Sequence, residues 1–173
     1  MPVTVTGWVA KKFGDNVNTD YIIPAYLLQE SWDKQFFADH AFESYDPTFV
    51  TALRGKKSSI VVAGKNFGSG SSREQAVYAI KYNNVPAVIA ESFPDIFFRN
   101  CLNNGLLPIQ IDDTSRLSEG DKLEIDLDRR VLTNVTSNER YPIRATDNAI
   151  GQMKEGGFLE QVRQRLRQKL KAT

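Results

Sequence analysis

Ser71, Ser72 and Arg73 stand together behind two glycines in the run Gly68-Ser69-Gly70-Ser71-Ser72-Arg73-Glu74-Gln75-Ala76. That order brings two hydroxyls and one guanidinium to a single turn. A guanidinium grips a carboxylate or a phosphate through two parallel hydrogen bonds. The hydroxyls offer donors and, if their alkoxide is stabilised, a proton-transfer group. The apolar run at 59–63 reads as a buried strand, and residues 76–82 read as a helix. A glycine-rich turn between the two delivers its residues to a helix N-terminus. Unpaired N–H groups and the positive end of the helix dipole favour an anion there.

Two familiar phosphate loops do not fit. A P-loop ends in Gly-Lys-Ser/Thr, and the nearby lysine, Lys65, comes too early. A dinucleotide fingerprint needs a third glycine where this chain has Arg73, whose side chain crowds helix–strand packing. A carboxylate site remains, with Ser71 and Ser72 near the reacting carbon and Arg73 on the acid group. The chemistry alone leaves a plainer alternative open, in which Ser71 caps the helix and Arg73 is a surface residue.

The elements around the turn follow from periodicity. An alternating opening strand covers 3–9, a loop covers 15–24, and a short helix covers 32–40. Then come a strand at 58–63, a helix at 71–83 and a strand at 87–90. A further helix runs from Pro94 to 103 and leaves through Gly105, and a strand follows at 106–111. Strand, helix, strand, helix, strand predicts a parallel α/β core. Beyond it, 122–127 alternates cleanly, residues 128–130 turn it into 131–133, and 141–143 adds a short strand. From about 157 the tail reads as a helix with Leu159, Val162, Leu166 and Leu170 at helical spacing. Its basic residues, Arg163 to Lys171 at alternate positions, lack an aromatic stacking platform and read as a solvated face. Residues 1–173 form one compact domain in this reading, with no repeat and no linker.

Composition narrows the function. Twenty-two basic and 21 acidic residues give a net charge of +1, with no pull toward nucleic acid or membrane. No apolar run is long enough to span a bilayer and no signal-peptide pattern opens the chain, so a cytoplasmic (or organellar) setting is expected. Cys101 is the single cysteine and His40 the single histidine. One of each makes neither a disulfide framework nor a Cys/His zinc site. Cys101 lies in a helical pattern and reads as a buried small hydrophobe; His40 belongs to a helix near Phe36, Phe37 and Phe42.

The run from Gly68 to Ala76 resembles the Ser-Ser-Arg-Glu signature of the aconitase-type C-terminal, or swivelling, domain family. Two more blocks follow suit. Gly14-Asp15-Asn16-Val17-Asn18-Thr19-Asp20-Tyr21-Ile22-Ile23-Pro24 resembles the family's Thr-Asp-x-Ile-Ile-Pro segment. Ser92-Phe93-Pro94-Asp95-Ile96-Phe97-Phe98-Arg99-Asn100, continuing to Asn104-Gly105-Leu106, resembles its Ser-Phe-Ala-Arg-Ile-Phe-x-x-Asn and Asn-Gly-Leu block. The likeness covers roughly residues 5 to 160. In length the chain is similar to free-standing small subunits of 3-isopropylmalate dehydratase and homoaconitase.

The resemblance implies a swivelling β/β/α fold of the α/β class and a hydro-lyase that eliminates and re-adds water. It implies proton transfer by Ser71, a substrate carboxylate on Arg73, an added donor in Ser72, and Asp20 in the cleft. Such enzymes use a [4Fe–4S] cluster, which needs several thiolates, so the cluster is expected on a partner large subunit. The loop after Ile-Ile-Pro is implied to touch the variable part of a hydroxy dicarboxylic acid, here through Tyr26, Leu27, Leu28 and Gln29. No arginine or lysine lies between Lys12 and Lys34 to neutralise another carboxylate, and an unpaired anion against Leu27 and Leu28 is costly. A branched-alkyl substrate, isopropylmalate, is therefore expected. Homocitrate-type and dimethylmalate- or citraconate-type substrates are the alternatives, and a non-catalytic carboxylate-binding regulatory module is the alternative of another class.

Overall fold

β1 (Thr4–Lys12) opens the chain and leads into an excursion of short helices, α1 (Thr19–Ile22), α2 (Lys34–Asp39) and α3 (Phe49–Leu53). β2 (Ser59–Val62) follows, α4 (Glu74–Lys81) crosses to β3 (Ala87–Ala90), and α5 (Asp95–Asn104) crosses to β4 (Leu107–Gln110). A meander of β5 (Lys122–Asp126), β6 (Val131–Asn134) and β7 (Glu139–Pro142) precedes α6 (Asp147–Lys154) and α7 (Phe158–Lys171). This computed structural model describes residues 3–171, without the side chains of residues 158, 159 and 161.

The strands form one seven-stranded sheet in the order β4-β3-β2-β1-β5-β6-β7. β1 is the seam. It pairs parallel with β2, and β2, β3 and β4 continue parallel. On its other edge it pairs antiparallel with β5, and β6 and β7 continue antiparallel. The burial patterns explain the division. β2 and β3 are buried at every position, because helices cover both faces of a parallel sheet. β5 alternates, with Leu123 and Ile125 buried and Glu124 exposed, as one-sided antiparallel strands do.

Successive strand residues feed opposite cores. Val61 and Val88 join Phe42, Phe49, Phe67 and Ile80 under the helices of the excursion and α4. Ile60, Val62 and Ile89 join Leu123, Ile125 and, from α6, Ile150 on the other face. The expected α/β class holds, with the parallel half and the meander where periodicity put them.

Helix α4 starts three residues later than expected. Gly70 has φ +94°, and Arg73 is extended at φ −130°, ψ 117° as the N-cap residue, so Ser71 and Ser72 stay in the turn. Ser71 is thus not the helix cap. α1, α3 and α6 occupy segments without a legible period. α5 follows Pro94 and ends at Gly105, left-handed at φ 71°, as expected. α7 packs on α5, while Val162, Leu166 and Leu170 are exposed; the side chain of Leu159 lies outside the described residues.

Candidate active site

Two loops leave the C-terminal ends of β1 and β2 and zip together. Asn16 N–H donates to Lys65 O (2.8 Å), Gly68 N–H to Val17 O (2.8 Å), and Thr19 N–H to Ser69 O (2.7 Å). Asp15 Oδ1 accepts from Lys65 N–H at 2.7 Å. The contact leaves no room for side chains. A Cβ on Gly64 would lie 2.0 Å from Asp15 Oδ1, and one on Gly68, at φ +85°, would lie 2.2 Å from the Phe97 ring. The chemistry of the turn therefore rests on a backbone ladder wedged against α5.

That ladder brings Asp20 and Arg73 together across 53 residues of sequence. Arg73 Nη1 donates to Asp20 Oδ1 at 2.5 Å and to Ile23 O at 3.5 Å. Arg73 Nη2 points to Ser71 Oγ at 3.4 Å. The guanidinium is largely buried while Asp20 is half exposed. Ser71 and Ser72 are exposed beside it. Asn18 positions Asp20 by accepting from its N–H at 2.6 Å, which also caps α1. A cleft of 370 Å³ opens in front of the turn, walled on one side by Ser71, Ser72 and Arg73. Its other wall is the first turns of α5, with Asp95, Ile96, Arg99 and Asn100. The arrangement sets two guanidiniums (Arg73 and Arg99), two hydroxyls and the Asp95 carboxylate around a space sized for a small acid, while Asp20, expected in the cleft, pairs with Arg73 and is not part of the lining.

Residues 2–114 match the family model of the aconitase C-terminal domain. The chain belongs to that family. It is 40% identical over 160 residues to a 3-isopropylmalate dehydratase small subunit of Archaeoglobus fulgidus, covering 92% of this chain and 98% of the relative. It is 44% identical to the 3-isopropylmalate dehydratase small subunit of Aquifex aeolicus, covering 91% and 94%. A methanogen homoaconitase small subunit of Methanocaldococcus jannaschii is 50% identical over 127 residues, 72% of each chain. The crystal structure of a 3-isopropylmalate dehydratase from M. jannaschii superposes with a TM-score of 0.86 at 37% identity, covering 99% of this chain and all of that one. The sheet described above is thus the swivelling β/β/α fold.

Within this family frame, Ser71, Ser72, Arg73 and Asp20 form one constellation. Residues 26–29 sit elsewhere. They form a 3-10 turn, Ala25–Gln29, which does not line the cleft. Leu27 is buried in the core and Leu28 is half-buried, whereas Tyr26 and Gln29 are exposed. The Tyr26 hydroxyl donates to Glu43 Oε1 at 2.6 Å, and that bond raises its pKa. The α5 wall carried no assigned role in the sequence. Its signal was available, since α5 begins right after the C-terminal end of β3, beside the end of β2 that launches the signature turn.

This chain does not suit an iron–sulfur cluster. Its single thiol, Cys101, is fully buried, and burial pushes its pKa well up, away from the thiolate a cluster needs. Among the described residues no group of three or more His, Cys, Asp or Glu could hold a metal ion. His40 ends α2 and sits 2.6 Å from Glu43 Oε2.

Proposed function

We propose that the chain is the small subunit of a two-chain hydro-lyase that interconverts 2-isopropylmalate and 3-isopropylmalate through a dehydrated intermediate, as in leucine biosynthesis. The observation that carries this is the Arg73 guanidinium, fastened to Asp20 on one nitrogen and aimed at Ser71 Oγ with the other. In elimination, a proton leaves the carbon next to a carboxylate, hydroxide leaves the adjacent carbon, and a C=C bond forms. Re-addition of water with the two positions exchanged completes the isomerisation. Ser71 takes and returns the proton. Its alkoxide is costly in water, and a fixed guanidinium beside Oγ lowers that cost where the charge develops. Arg73 also receives a substrate carboxylate with Ser72 as a further donor, and Asp20 holds the guanidinium in register.

Loss of the hydroxyl calls for a Lewis acid, and the reading assigns it to a [4Fe–4S] cluster on a large subunit. The relatives' names support isopropylmalate as substrate. The homoaconitase relative is the specific observation favouring a homocitrate-type substrate. Such a substrate would need a further cation in the cleft, and the α5 wall supplies one candidate in Arg99. No helix among the described residues is long and apolar enough to cross a membrane, and the reading places the complex in the cytoplasm.

Anaerobic reconstitution with the 3-isopropylmalate dehydratase large subunit of the same organism tests this. Alkene absorbance should rise with 3-isopropylmalate and stay flat with homocitrate. Turnover of homocitrate alone would overturn the substrate assignment. A stable complex that turns over neither would favour a non-catalytic carboxylate-binding module.

A further inference from the structure

The excursion between β1 and β2 does more than carry Asp20 to Arg73. It displays four aromatic side chains to solvent: Tyr21 and Tyr45 at 43% and 44% exposure, Tyr26 at 63% and Trp32 at 91%. Three of them are held in place. The Tyr21 and Tyr45 rings stack with centroids 4.6 Å apart, and Tyr26 is tied to Glu43. Trp32 stands between the 3-10 turn and α2 with almost no cover. A monomer gains nothing by holding an indole in water, whereas tryptophan and tyrosine are enriched at the energetic centres of interfaces.

Charge identifies the occupant. From residue 20 to residue 46 the chain has six acidic residues and one lysine, on a molecule of net charge +1. That lysine, Lys34, is turned toward the Tyr78 ring, 4.9 Å from its centroid. Arg73 occupies Asp20 and Lys11 occupies Asp46. Glu30 and Asp33, both exposed, flank Trp32 in sequence and have no salt-bridge partner among the described residues. Asp33 also caps α2 by accepting from Gln35 N–H, yet an exposed indole flanked by two exposed carboxylates with no cation paired to either fits an apolar socket rimmed by arginine or lysine.

The surface also adjoins the site, since Tyr21 follows Asp20, the ion-pair partner of Arg73. Ser71, Ser72 and Asp20 are all open to water, and a fixed charge acts far more strongly where water is excluded. We propose that the Tyr21–Trp32–Tyr45 surface docks on a basic face of the cluster-bearing large subunit, with Trp32 as its anchor and Glu30 and Asp33 as its charge rim. This rests on the two-chain reading above.

The test starts from W8F, which leaves Trp32 as the one tryptophan, since the chain has two. Titrating this variant with the large subunit should move Trp32 emission to shorter wavelength as the complex forms. W32A should weaken assembly at least tenfold while leaving kcat at saturating large subunit unchanged. E30K/D33K should weaken assembly at low salt and flatten its salt dependence. Unchanged emission on assembly, or a W32A affinity within twofold of the parent, would overturn the proposal while the two-chain reading stood. A blue shift on concentrating the small subunit alone would make a second copy the occupant and overturn it too. Failure of the unmodified chain to bind the large subunit would overturn the two-chain reading and this proposal with it.

Discussion

Arg73 is tied on three sides, and its ties differ in kind. The Asp20 carboxylate is half exposed, and ion pairs of that exposure contribute about 0–1 kcal/mol to stability. The pair is therefore an orienting device more than a stabilising one. Asp20→Asn should leave the thermal midpoint nearly unchanged and lower kcat/KM of the reconstituted complex by about 10- to 100-fold. Equal losses of stability and activity would contradict that division. Cys101 makes the opposite case. It is buried in α5 with a raised pKa, so a thiol reagent should label it only as the protein unfolds. Rapid labelling of the native chain would show that α5 opens locally. The residue types of the signature turn were readable from sequence, because glycine, serine and arginine have few reasons to stand in that order. The partnership of Arg73 with Asp20 was not, since it spans two loops whose ladder no local period predicts.

At the level of elements, Gly68 is where the turn meets α5. A Cβ there would strike the Phe97 ring, and φ +85° disfavours any L side chain. Gly68→Ala should cost about 3 kcal/mol, from backbone strain and overpacking together, as read from chemical denaturation. Adding Phe97→Leu should recover the packing part and leave the backbone part. A loss below about 0.5 kcal/mol would mean that the turn is free to move off α5. β2, β3, β4 and α5 were legible because continuous apolar runs, Pro94 and Gly105 are strong local signals. α1 and α3 were not, being four and five residues long, too short for a helical period to register. α6 is eight residues long and capped by the Thr146 side chain on Ala149 N–H, a signal that could have been used.

For the whole molecule, several aspartates are held below their ordinary pKa in the fold. Arg144 does this to Asp112, and Lys154 to Asp128. At Asp46, desolvation pushes upward but is outweighed by bonds from Lys11 and Thr48. Each folded-state pKa lies below the unfolded one, so the unfolded chain binds more protons in acid. Their stabilisation is complete above the ordinary aspartate value, 3.8, and is lost as pH falls through the lower folded values. The thermal midpoint should hold from neutrality to about pH 5 and fall below that, and Asp46→Asn should shallow the fall. An acid slope unchanged by that variant would place the responsible groups elsewhere. Net charge, by contrast, is nearly balanced across the chain but uneven in space. The acidic aromatic surface adjoins the Asp20–Arg73 pair through Tyr21, which is where the proposed second chain would dock.

Ser71→Ala in the reconstituted complex separates proton transfer by Ser71 from every structural role. Complex formation should be retained, because Ser71 is exposed and caps no helix, while isopropylmalate turnover should fall by about a thousandfold. Turnover within a few-fold of the unmodified complex would contradict the account, since the proton would then move through a group other than the one Arg73 addresses.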